Sequence, residues 1–259
     1  MRFWIFLTLL LIGFASTVEA KVIGSTVPYT HDGVDLEGYI AYDDSLQGKR
    51  PGVLLVHEWW GLNDYVRRRA DQLAGMGYVA FAVDMYGKGK VTEHPEDAAA
   101  WAQQVRGNID LWRKRAMAGL EVLKADTRTD IARIAAIGYC LGGSTVQQLA
   151  YAGAPLRGIV SFHGGLVKPS QEEAKAVKAR ILICHGGADQ FETPQALQDY
   201  IAVMNQAGLD WQMVIFGGAK HGFTNPEAGK YGLEALAYSK SADERSWKYM
   251  KDFFDAIFS

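Results

Sequence analysis

At 259 residues and 49% hydrophobic content, the chain has the length and composition of one α/β domain with a large core. A formal charge of -2 excludes the basic footprint of a nucleic-acid binder. Two cysteines, Cys140 and Cys184, exclude a disulfide scaffold.

Met1-Arg2 leads into an almost unbroken apolar run from Phe3 to Phe14, and Val18 and Ala20 then occupy the −3 and −1 positions of a cleavage site. Residues 1–20 therefore read as a secretory signal peptide. The rival reading is an uncleaved anchor, which needs ~20 apolar residues, more than this run supplies. The expectation is one domain over residues 21–259, exported to a periplasmic or extracellular space, with no membrane contact after cleavage. Export brings a Cys140–Cys184 bridge into consideration, but Cys184 ends the apolar run Ile181-Leu182-Ile183 and reads as a buried strand residue.

Val22–Tyr29 and Val34–Tyr42 read as strands around the turn His31-Asp32-Gly33, a hairpin. Val53–Val56 is a short buried strand, His57–Leu62 a loop, and Asn63 or Asp64 caps a helix through Ala74. Tyr78–Val83 is the next strand. Pro95 opens a helical stretch to Lys124, broken near Gly107-Asn108. Ile134–Ile137 is a buried strand that runs into Gly138-Tyr139-Cys140-Leu141-Gly142-Gly143 and then a helix from Ser144 to Ala150. Strands follow at Arg157–Phe162, Arg180–Cys184 and Trp211–Phe216, and helices at Gln171–Val177, Pro194–Ala207 and Ala242–Phe258. This alternation predicts an α/β fold: a mostly parallel sheet with helices on both faces and an antiparallel edge from the N-terminal hairpin.

A strand turning sharply into a helix over Gly-x-Cys-x-Gly is the nucleophile-elbow pattern, with Cys where Ser is commoner. Cys140 would sit at a helix N-terminus, where the dipole and free amides favour a thiolate and a developing oxyanion. A thiol nucleophile needs a base, and the base an orienting acid. Asp189 and His221 follow Cys140 in the order of an α/β-hydrolase, each just past a predicted strand, where such sheets place their sites. No metal site is expected. His57-Glu58 starts like a zinc-protease motif, but Gly61 stands where the second histidine belongs. Trp59, Trp60, Tyr86, Tyr139 and Phe223 are candidates to wall an apolar pocket.

Five segments together resemble the dienelactone hydrolase family: His57-Glu58-Trp59-Trp60-Gly61, Val83-Asp84-Met85-Tyr86-Gly87, the 138–143 elbow, Gly186-Gly187-Ala188-Asp189 and His221-Gly222-Phe223. The resemblance runs from about Val22 to the C-terminus and implies the α/β-hydrolase fold and cleavage of small carboxylic esters or lactones, without metal or organic cofactor. It implies that Glu58 holds the resting thiol and that the amides of Leu141 and Trp59 form the oxyanion hole. Two arginines clamp the substrate carboxylate in family members that cleave dienelactone. The matching positions here are Asn225 and Lys88. Lysine is a point charge where arginine is a fork, so neutral esters are expected to be cleaved at least as well as anionic ones. The alternative function is a non-catalytic ligand-binding or thiol-redox protein on the same fold. The ordered Cys140, Asp189 and His221 favour the enzyme, and no Cys-x-x-Cys is present. The substrate is a small molecule; the oligomeric state is not legible.

Overall fold

The chain enters its sheet through a hairpin. The computed structural model describes residues 21–259; the signal-peptide reading of residues 1–20 lies outside the described residues. β1 (Val22–His31) and β2 (Val34–Asp43) pair antiparallel up to His31 opposite Val34. Asp32 and Gly33 make the turn with φ of 49° and 73°, the left-handed pair that a tight two-residue hairpin turn requires.

β3 (Arg50–Val56), α1 (Asp64–Ala74) and β4 (Val79–Val83) form the first parallel strand–helix–strand unit. Asn63 caps α1 by accepting from the Val66 amide. α2 (Pro95–Arg106) starts on its proline and ends at Gly107, and Asn108 caps α3 (Ile109–Ala125) through the Leu111 amide at 3.0 Å. β5 (Thr129–Tyr139) and α4 (Leu141–Tyr151) follow. Then come β6 (Gly158–Phe162), α5 (Gln171–Ala176), β7 (Arg180–Gly186), α6 (Pro194–Gln206) and β8 (Trp211–Phe216). A 3-10 turn at Ala228–Tyr231 and the terminal helix α7 (Lys240–Phe258) complete the chain.

The eight strands lie in the order β1-β2-β4-β3-β5-β6-β7-β8. β1 and β2 are antiparallel and the rest run parallel from β4 to β8. This is the α/β-hydrolase arrangement with its antiparallel edge. Side chains alternate between the two faces: Leu54 and Val56 of β3 pack with α3 and α4, while Val53 and Leu55 pack with α1 and α7. Both faces are covered, so both sets are apolar, which is why the central strands read as unbroken hydrophobic runs.

Two strands begin earlier than predicted. β5 begins at Thr129 rather than Ile134, and β3 at Arg50 rather than Val53. Arg50 and Pro51 pair with Thr129 and Asp130, then the register jumps so that Gly52 faces Ile134. Residues 131–133 bulge out, with Ile131 59% exposed. An exposed apolar residue in a polar stretch hides this part of the strand from a pattern reading.

Candidate active site

β3 has β4 on one side and β5 on the other, so chain order reverses around it. The crevice at the carboxyl ends of these strands is where open α/β sheets place their ligands. Cys140 stands there alone between the end of β5 and the start of α4, with φ 54° and ψ -112°. A non-glycine residue so placed stores roughly 1–3 kcal/mol of strain. Close packing holds it. A Cβ on Gly142 would lie 2.1 Å from the Val56 carbonyl oxygen, and one on Gly138 would lie 2.0 Å from that of Gly142. The Cys140 amide donates to the Phe162 carbonyl at 3.0 Å, which fixes the turn to β6.

Asp189 comes from the loop after β7 and His221 from the loop after β8. The His221 Nδ1 lies 2.8 Å from Asp189 Oδ2, and both residues are buried. Asp189 Oδ1 accepts from the Phe191 amide at 2.9 Å. Burial opposes a charge on Asp189, but the His221 ring and the Phe191 amide outweigh it and keep the carboxyl below its usual range. Burial likewise disfavours an imidazolium at His221. The adjoining Cys140 thiol, with Asp189, overrides it and raises the ring to about 10. The three residues are thus one coupled unit.

Glu58, in the loop just past β3, is buried. Burial pushes its carboxyl up to about 7, partly offset by Asn225, whose Nδ2 donates to Glu58 Oε2 at 2.7 Å. The Leu141 N–H, at the first position of α4, has no intrahelical acceptor. Among the described residues, neither this amide nor that of Trp59 donates a backbone hydrogen bond.

A cavity of about 440 Å³ opens above Cys140. Trp59, Trp112, Leu166, Val167, Phe191 and Leu236 give it apolar walls, and Ser144, Asp189, His221, Glu192 and Arg106 give it polar groups. Phe191 is 56% exposed at the rim, its ring centroid 4.8 Å from that of His221.

Of the side chains expected to wall the pocket or bind substrate, Trp59 does line the cavity and the others lie elsewhere. Trp60 is buried and stacks on Tyr231 at 3.7 Å. Tyr139 is core, stacked on Phe162 at 5.0 Å. Phe223 is core beside His163. The Tyr86 hydroxyl donates to the Trp59 carbonyl at 3.0 Å, so it braces the wall from behind. Asn225 is buried against Glu58 rather than at the pocket mouth. Lys88 is exposed and faces Glu37 at 3.6 Å. Aromatic residues next to sharp turns are core as often as lining, and sequence adjacency to a motif does not say which way a side chain points. The cation that does face the cavity is Arg106, the last residue of α2, which has no ion-pair partner among the described residues. Nothing local in the sequence marks it, because α2 reaches the site only by folding over it.

Cys184 lies on β7 with β6 between it and the Cys140 strand, and both thiols are free. Two strand spacings are roughly 9–10 Å, too far for a disulfide. Among the described residues no group of three or more His, Cys, Asp or Glu is placed to hold a metal ion. Nor is any helix long and apolar enough to cross a membrane.

The sequence model of the dienelactone hydrolase family matches residues 36–258. A protein of Aquifex aeolicus provisionally named a carboxymethylenebutenolidase is 28% identical, over 90% of this chain and 98% of its own. Another so named, from Saccharolobus solfataricus, is 26% identical over 88% and 97%. A solved dienelactone hydrolase-like promiscuous phosphotriesterase from metagenomic libraries is 36% identical. It superposes with a TM-score of 0.88 over 91% of this chain and 98% of its own.

Proposed function

The chain belongs to the dienelactone hydrolase family, and on that premise we propose that it cleaves small carboxylic esters or lactones through a Cys140–His221–Asp189 triad. It is a carboxylic ester or lactone hydrolase; the proposal concerns the residues and the steps. The observation that carries it is His221, hydrogen-bonded to Asp189 at 2.8 Å and charge-coupled to the thiol of Cys140 at the base of the cavity.

The Cys140 thiolate adds to the substrate carbonyl carbon. The carbonyl electron pair moves to oxygen, and the free amides of Leu141 and Trp59 hold that oxyanion. Collapse of the intermediate expels the alkoxide, which takes a proton from the His221 imidazolium and leaves a thioester on Cys140. In a lactone the alkoxide stays tethered to the acyl group. His221, now neutral, takes a proton from water as that water attacks the thioester. A second oxyanion collapses, the carboxylic acid leaves, and the thiolate–imidazolium pair is restored. Asp189 keeps the ring oriented throughout. Glu58 is a buried carboxyl that accepts a hydrogen bond from Asn225 and lies close enough to His221 to feel its charge.

Two features favour this over a binding or redox role: the coupled triad, and the intervening strand that denies Cys140 a disulfide partner. The test is intact-mass detection of a Cys140 thioester after rapid mixing with a short-chain ester. Cys140→Ala should give neither adduct nor turnover while remaining folded, with wild-type far-UV circular dichroism. Turnover by that variant overturns the assignment. Export belongs to the same proposal: the mature enzyme begins at Lys21, and an intact mass retaining residues 1–20 in the exported protein would refute it.

A further inference from the structure

His57 precedes Glu58 and has no part in the steps above, yet both of its ring nitrogens are engaged. The ring is wholly buried. The Met85 amide donates to Nε2 at 3.1 Å, so the one ring proton of the neutral form sits on Nδ1. Nδ1 lies 2.5 Å from the Glu58 carbonyl oxygen and donates to it. Burial pushes the imidazole down, which keeps it neutral.

The Glu58 carbonyl and the Trp59 N–H are opposite ends of one trans, planar peptide. Pinning the oxygen therefore aims the N–H the other way. The carbonyl points to a buried ring; Trp59 and Cys140 line the cavity. The anchor behind His57 is itself fixed. Asp84 accepts from the amides of Tyr86 and Gly87 at 2.8 and 2.9 Å, and from the Glu37 amide of β2 at 3.1 Å. Tyr86 packs edge-on to His57 with centroids 5.0 Å apart.

We propose that His57 is a positioning residue that, through the Glu58–Trp59 peptide, aims the Trp59 amide at the substrate oxyanion. This rests on the assignment of that amide to the oxyanion hole. An amide aimed at an oxyanion bonds more strongly in the transition state than in the ground state, so its misalignment falls on kcat and spares KM.

The test compares wild type with three variants, using a short-chain nitrophenyl ester. His57→Phe should lower kcat about 10- to 100-fold with KM within threefold. Affinity for a trifluoromethyl ketone, which forms an anionic adduct with the thiol, should fall by the same factor. Alkylation of Cys140 by iodoacetamide develops no oxyanion and should stay within twofold. The Asn amide nitrogen overlays Nδ1, whereas the Gln amide overlays Nε2. His57→Asn should therefore retain at least fivefold more kcat than His57→Gln, a comparison that holds even if the Phe variant fails to fold. Equal kcat in the Asn and Gln variants overturns the proposal. So does alkylation falling in step with kcat in the Phe variant, or kcat there unchanged. A wild type that turns over ester but binds the ketone no better than its alcohol would remove the oxyanion assignment itself, and His57's role with it.

Discussion

Glu58 and His221 are both buried and feel one another's charge, and both are pushed above their ordinary ranges. For Glu58 the sign is unfavourable. Its carboxyl moves from 4.5 to about 7 because burial disfavours the charge. Below 4.5 it is protonated folded or unfolded and costs nothing; as pH rises towards 7 the unfolded form ionises first and the fold loses stability. Glu58→Gln should therefore gain up to about 3 kcal/mol over wild type above pH 7 and nothing near pH 4, by urea unfolding at both. An equal effect at both pH values would show that the carboxyl is not raised. For His221 the sign is the opposite. An imidazolium raised from 6.5 to about 10 stabilises the fold fully below 6.5, and that contribution fades as pH climbs to about 10. After burial, the Cys140 thiol weighs most on it. In Cys140→Ala the ring should titrate at least one unit lower by NMR; an unmoved titration would separate the two residues.

The turn between β5 and α4 depends on absent side chains. Gly142 has no room for a methyl group, since its Cβ would meet the Val56 carbonyl oxygen at 2.1 Å, and that backbone belongs to the central strand β3. Gly142→Ala should cost at least about 3 kcal/mol by urea unfolding and take activity with it. Gly229→Ala, where a Cβ meets nothing within 4 Å, should unfold like wild type and serves as the control. A Gly142→Ala protein of native stability would mean that the elbow relaxes freely. The same turn shows what is legible in sequence at this scale. Punctuation is local, so Pro95, the break at Gly107-Asn108, the Asn63 cap and the elbow all appear where the residues announce them. Pairing is not local. Thr129 and Asp130 are strand because Arg50 and Pro51 lie opposite them, 79 residues away, and no window on the chain contains both.

At the scale of the whole molecule, the order of the proposed triad was legible because topology dictates it. Cys140, Asp189 and His221 follow β5, β7 and β8, and parallel strands deliver their carboxyl ends to one edge. Trp59 apart, the walls were not legible, because they come from segments that fold across that edge: the ends of α2 and α3, and the loops after β6, β7 and β8. Substrate charge preference turns on this difference. Asn225 and Lys88, the positions aligned with the carboxylate clamp, are spent on Glu58 and Glu37, while Arg106 brings a guanidinium into the cavity from α2. Glu192 lines the same cavity, one carboxylate oxygen accepting from the Leu166 amide at 3.0 Å. The expectation that neutral esters are cleaved at least as well as anionic ones was drawn from Asn225 and Lys88; Arg106 is a further charge at the cavity, and its effect on that expectation can be measured. A charge-assisted hydrogen bond contributes about 1–3 kcal/mol, and an exposed guanidinium sits at the lower end of that range. Arg106→Gln should lower kcat/KM about tenfold for an ester with a carboxylate on its acyl arm, and leave the matched neutral ester within twofold. Glu192→Gln should shift the ratio the other way, because it removes a competing negative charge. If the ratio is the same in wild type and Arg106→Gln, the arginine only borders the cavity and the anion, if bound, is held elsewhere.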